Sequence, residues 1–181
     1  MKILYKIAII LLLAVFFISC EKKTEYGSFS ISMKDSPSVY REVNVDIESI
    51  EIYVEQQGGG HWYSLVTNKG VYNLLLLQNM PVLLANHTSV PIGKISSIRI
   101  NLGPDNSVNI NGVMYPLRSL SGTEQRQKIN IPVEYTITAS GKLNTLIDFD
   151  AEKSVIKNAK NEFFLNPVIV AGITGSPMDS Y

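Results

Sequence analysis

The chain has little cysteine, little histidine and no run of one charge. A single cysteine, Cys20, stands among 181 residues, so no intramolecular disulfide can form and a disulfide-stapled scaffold is excluded. Only two histidines, His61 and His87, are present, and neither lies in a metal-ligand spacing. No Gly-x-Ser-x-Gly elbow, His-Glu-x-x-His pair, phosphate loop or dinucleotide fingerprint occurs, which leaves the common catalytic motifs without a foothold. Basic and acidic residues balance at 16 each. Without a basic patch, nucleic-acid binding has no electrostatic support.

Long apolar runs are also scarce, and the one that exists sits at the start. Lys2 and Lys6 precede the unbroken apolar stretch Ile7 to Phe17, and Phe17-Ile18-Ser19-Cys20 closes it with a small residue before the cysteine. The run is about half of the roughly 20 residues a spanning helix needs. It reads as a lipoprotein signal, removed over residues 1–19, after which Cys20 becomes the lipidated first residue. Lipidation also gives a lone thiol in an exported protein its purpose, because several acyl chains together anchor stably. Glu21 to Gly27 then serves as a short polar tether. The mature chain would hold 162 residues and lose Lys2 and Lys6, leaving it mildly acidic. That length suits one domain.

From Ser28 the apolar period is two, which marks half-buried strands. Phe29, Ile31 and Met33 alternate with serines and stop at Asp35-Ser36-Pro37. In the next run Val43, Val45 and Ile47 share one parity whereas Ile50, Ile52 and Val54 share the other, which predicts a bulge or sheet crossing near Glu48-Ser49. Gln56 to Gly60 makes a hairpin loop before His61-Trp62-Tyr63-Ser64-Leu65. Val71 to Met80, with four consecutive leucines, reads as strand into short helix. Ile98, Ile100 and Leu102 place Arg99 and Asn101 on the opposite face. Asn111-Gly112 between alternating runs predicts a type I′ turn. Lys128 to Thr138, Leu143 to Phe149 and Phe163 to Val170 complete an expected single-domain, all-β sandwich over residues 28–172, with about seven to nine mainly antiparallel strands, one or two helical turns at most, and a tail over residues 173–181.

Several segments resemble one family. Phe29-Ser-Ile-Ser-Met-Lys-Asp35-Ser-Pro37, Val43-Asn-Val-Asp-Ile-Glu-Ser-Ile-Glu-Ile52, Leu146-Ile-Asp148-Phe149-Asp150-Ala-Glu-Lys153-Ser154 and Leu165-Asn-Pro167-Val168 are similar to the DUF4382 family. Trp62 and Asn73-Leu74 also fall where that family tends to carry a tryptophan and a polar-leucine pair. The resemblance implies an exported bacterial or archaeal protein, often a lipoprotein, without an established activity. A shared fold does not supply a chemistry.

Candidate site residues follow from side-chain type and spacing. Asp148 and Asp150, two apart on a strand, aim at one face, and Asp35 and Glu152 would add carboxylates if the fold gathered them. Calcium needs six to eight oxygens, so such a cluster is a candidate Ca²⁺ site only with further ligands, and no metal ligand set is assigned. A structural role is the alternative: Asp150 as cap of a turn through Ala151 to Ser154, and Asp148 paired with a basic residue on a neighbouring strand. No second carboxylate marks a glycosidase pair, so no catalytic residue is assigned. Trp62, flanked by His61 and Tyr63, is a candidate contact for a sugar ring or apolar partner, as are Tyr40, Tyr53 and Tyr72, although packing competes with contact at every one. The expected function is a non-catalytic binding or adhesion module, held in the outer membrane by lipid on Cys20, with a glycan or envelope protein as partner. The alternatives are an accessory subunit of an envelope assembly or a hydrolase.

Overall fold

A computed structural model describes residues 24–120 and 126–174. Cys20 and the leader lie outside these residues. Two mixed sheets pack face to face. The smaller contains β1 (Tyr26–Asp35), β4 (Val66–Thr67), β6 (Val82–Pro91), β11 (Lys142–Phe149) and β14 (Ile169–Ile173), in the order β14-β11-β1-β6-β4. The larger contains β2 (Glu42–Gln56), β7 (Gly93–Leu102), β8 (Ser107–Ile110), β9 (Val113–Ser119), β10 (Gln127–Ile137), β12 (Val155–Lys157) and β13 (Phe163–Leu165). Its order is β10-β7-β2-β8-β9-β13-β12, with β3 (Gly59–Ser64) and β5 (Gly70–Asn73) both paired to β2.

The sandwich expected from the period of two is therefore present. It has 14 strands among the described residues rather than seven to nine. The excess comes from short pieces such as β4 and β12, which carry too few residues to show a period. One strand expected as continuous is two: Phe163 to Val170 breaks at Asn166-Pro167-Val168, where the chain leaves the larger sheet as β13 and enters the smaller as β14. Proline lacks the N–H a ladder needs, which suits it to the crossing.

Alternation builds the core. Phe29, Ile31 and Met33 of β1 face Val43, Val45, Ile47, Ile50, Ile52 and Val54 of β2 across the interior, and all are buried. The change of parity in β2 is a bulge: pairing with β7 shifts register between Ile47 and Ser49. The extra residue lets Glu48 and Ser49 both stay partly exposed while Ile47 and Ile50 stay inside. Sequence-distant β1 and β11 pair in parallel, from Ser28 opposite Lys142 to Asp35 opposite Phe149. The β8–β9 turn has positive φ at both Asn111 (53°) and Gly112 (89°), as a type I′ turn requires. The leucine run forms a 3-10 helix, Leu74–Leu77, capped by Asn73, whose side chain accepts from the Leu75 N–H at 3.1 Å. The single turn α1 (Ala151–Ser154) follows β11.

Candidate functional site

The acidic block resolves into three separate structural roles. Asp148 faces outward from β11 beside Lys34 of β1, which stands directly opposite it, and the two form a 2.6 Å ion pair. Ser36 Oγ donates to the other Asp148 oxygen at 3.0 Å. Asp150 is the cap of α1: its Oδ1 accepts from the Lys153 N–H at 2.9 Å, and its Oδ2 pairs with Lys153 Nζ at 2.6 Å. The Lys153 hydrogen bond holds the Asp150 carboxyl below its ordinary value. Asp35 continues the inward parity of Phe29, Ile31 and Met33 and is 2% exposed.

At the end of β1, Asp35 Oδ1 accepts from the Ala151 N–H at 3.0 Å. Burial pushes its carboxyl above the ordinary value, against the opposing pull of hydrogen bonding from Ala151 and Gln78. The Gln78 amide favours the anion, yet Oδ2 has no well-formed hydrogen bond among the described residues. The three aspartates are thus spread between the interior and the surface. No group of three or more His, Cys, Asp or Glu among the described residues could hold a metal ion.

Trp62 lies outside the core. It stands on β3 opposite Tyr53 of β2, on the outer face of the larger sheet, where Tyr53 in turn opposes Ser97 of β7. The two rings meet at 5.2 Å with a 60° tilt. The Arg99 guanidinium stacks on the Trp62 ring, 3.6 Å from its centroid. Arg99 is held from both sides: its Nε donates to Asn130 Oδ1 on β10 at 2.9 Å, and its Nη1 lies 3.5 Å from Glu51 Oε2 on β2. Gly60, beside the aromatic pair, carries the Tyr53 ring where a Cβ would otherwise stand. One row of flat groups therefore runs across four strands, from Gly60 through Tyr53, Trp62 and Arg99 to Asn130.

The other candidate aromatics behave differently. Tyr40, Tyr63 and Tyr72 pack against the core. Tyr72 also donates to the Asn68 carbonyl at 2.5 Å and Tyr63 to Gln56 at 3.2 Å. His61 is exposed, whereas the half-buried His87 accepts from the Ser89 N–H through Nδ1 at 3.3 Å. Arg99, Glu51 and Asn130 complete the Trp62 row and were not singled out from sequence. The parity of Ile98, Ile100 and Leu102 already turns Arg99 outward, but nothing in the chain says which strands flank it.

Next to this row the β2 bulge opens a cleft of about 510 Å³, lined in part by Glu48, Ser49, Glu51, Asn101 and Gln127. Asn101 Nδ2 donates to Ser49 Oγ at 2.8 Å and to Glu51 Oε2 at 3.3 Å. Glu51 therefore joins the cleft to the Arg99 stack. Glu48 pairs with Arg126 at 3.0 Å.

The family model for a domain of unknown function, DUF4382, matches residues 26–167. The chain belongs to the DUF4382 family. No curated protein and no solved structure matches it. The DUF4382 region takes in the whole Trp62 row, the cleft and the acidic block, and it ends before β14. Among the described residues of this DUF4382 chain, no helix is long and apolar enough to cross a membrane.

Proposed function

We propose that this chain is a non-catalytic binding module of the cell envelope, lipid-anchored in the outer membrane through Cys20, with the outer face of β3-β2-β7-β10 as its contact surface. The observation that carries the binding role is the Trp62–Arg99 stack. A tyrosine tilted against a tryptophan and a guanidinium stacked on it share a partly exposed sheet face, the guanidinium held by Glu51 and Asn130 before any partner arrives. Such preorganisation lowers the ordering cost of binding, and flat aromatic groups present large contact area to sugar rings or apolar surfaces. The anchor rests on the leader and on Ser19-Cys20. Catalysis is left out because Asp148 and Asp150 are each engaged by a lysine and a structural hydrogen bond.

A second reading, an accessory subunit of an envelope assembly, is favoured by three exposed apolar side chains. Val39, Leu76 and Met80 are 79, 73 and 75% exposed in the segments after β1 and before β6. The deciding experiment compares retention of the full-length protein and its Trp62→Ala and Arg99→Ala variants on purified cell-envelope material. Loss of retention in both variants, with cooperative thermal unfolding kept, is expected. Retention that survives both but fails in Leu76→Ser with Met80→Ser moves the function to the accessory reading. Membrane fractionation against a Cys20→Ser control tests the anchor, the control being expected to leave the membrane fraction, and protease digestion on intact cells separates a surface from a periplasmic placement.

A further inference from the structure

Five buried side-chain oxygens lack a hydrogen-bond partner among the described residues. Three belong to the buried Asp35, Tyr135 and Thr145. The other two, Asn101 Oδ1 and Gln127 Oε1, belong to residues that line one cleft, the opening beside the β2 bulge. An unpaired buried acceptor costs free energy, and its usual satisfaction is a water or a ligand donor.

The Asn101 oxygen cannot escape by an amide flip. Its Nδ2 already serves both Ser49 Oγ and Glu51 Oε2, and although the serine hydroxyl could donate to a flipped oxygen, a flip would press that oxygen against the Glu51 carboxylate and strand it. Asn101 Oδ1 is therefore fixed as an acceptor in want of a donor. Both carboxylates around the cleft are paired, Glu48 with Arg126 and Glu51 with Arg99, while Lys128, also in the lining, has no ion-pair partner among the described residues. A cation would have to break one of these pairs to gain a carboxylate, and an anion brings no donor for Asn101 Oδ1, whereas a neutral hydroxyl supplies one. The volume of about 510 Å³ is within the range of small-molecule sites.

Glu51 connects this donor-seeking cleft to the Trp62–Arg99 stack, and a ligand spanning both must offer a flat apolar face at one end and hydroxyl donors at the other. We infer that the cleft is a subsite that reads the hydroxyl groups of a neutral glycan whose adjoining ring lies at Trp62. This inference rests on the binding-face reading above. Both oxygens are closed to solvent, so a hydroxyl reaches them as neighbouring side chains shift; Lys128, exposed and in no ion pair among the described residues, lines the same cleft and has room to do so.

The test is titration of the ¹⁵N-labelled full-length protein with three neutral hexasaccharides, built of β-1,4-glucose, α-1,4-glucose and β-1,4-N-acetylglucosamine. The expected result is that at least one shifts the Asn101 and Gln127 side-chain amide signals together with the Trp62 indole signal. Gln127→Leu should then weaken that Kd about tenfold, a loss of roughly 1.4 kcal/mol, with its backbone spectrum unchanged. Movement of the indole alone, with affinity lost in Trp62→Ala and kept in Gln127→Leu, overturns the subsite and leaves the binding face standing. No response to any of the three overturns the glycan assignment, and retention on envelope material then judges the binding face separately. The amide signals of the unsubstituted protein decide the matter even if Gln127→Leu fails to fold.

Discussion

Asp35 and Ala151 are joined by a 3.0 Å hydrogen bond across 116 positions of sequence. The carboxylate at the end of β1 thereby receives the first residue of α1 after the Asp-Phe-Asp block. Burial raises the Asp35 pKa, so the folded protein holds this proton more tightly than the unfolded chain does. Between the ordinary value of 3.8 and the raised one, the folded state binds more protons, and stability falls as pH rises through that window. Asp35→Asn cannot show this slope. Urea unfolding of both proteins at neutral pH and near pH 4 should show the wild type gaining on the variant at the lower pH. A constant difference would mean that Asp35 has the same pKa folded and unfolded.

Asp150 has the opposite sign. Its folded-state pKa is depressed by Lys153, so its contribution is present above the unfolded value and is lost as pH falls through the folded one. Asp150→Ala also removes the cap of α1 and should cost about 1 kcal/mol, or about 3 °C in Tm for a chain of this size. Asp148→Ala removes a partly exposed ion pair and should cost less, at most about 1 kcal/mol. Scanning calorimetry that ranks Asp148→Ala as the more damaging would contradict this division of roles.

Thr145 is 1% exposed on β11, and its hydroxyl has no partner among the described residues. Valine keeps the shape and the β-branching while removing the unpaired group. Thr145→Val should therefore raise stability by about 1 kcal/mol, visible as a higher urea midpoint with an unchanged m-value. A fall would show that the hydroxyl is satisfied in solution.

Gly60 is the place where the aromatic row meets the backbone. A Cβ there would overlap the Tyr53 ring, forcing it off β3 and away from Trp62. Gly60→Ala should cost about 1 to 3 kcal/mol, as overpacking does, and should alter the near-UV circular dichroism of Trp62. An unchanged aromatic signal would mean that Tyr53 moves without Trp62.

Much of this arrangement was legible in the chain, and the unread parts have physical causes. The parity switch between Ile47 and Ile50 predicted a bulge or a sheet crossing, because one buried face cannot otherwise take apolar residues of both parities, and the bulge is what forms. Asn111-Gly112 and the Asp150 cap were readable because each is satisfied within four residues. The inward parity of Phe29, Ile31 and Met33 also extends to Asp35, a signal that would have placed this carboxylate inside rather than among candidate ligands. β6 went unread because its alternation fails: Leu84 and Ala85 are both buried where pairing to β1 slips register, and Asn86 to Ser89 are polar. The parallel contact of β1 with β11 joins residues more than a hundred positions apart, and no local pattern encodes it. The chain left packing and contact competing at Trp62; the side chain packs outside the core, between strands on the outer face, where Arg99 supplies its partner from β7.

The position of β1 has a mechanical meaning. It lies inside its sheet, parallel to β11 on one side and antiparallel to β6 on the other. A pull on the chain ahead of Thr24, resisted through the larger sheet, runs along the axis of β1 and strains both of its ladders together in shear. Peeling would break the same bonds one at a time at far lower force. A force-extension trace with its handle at Thr24 should accordingly rupture in a single high peak rather than a descending staircase, making β1 the clamp by which the domain resists a pull applied there.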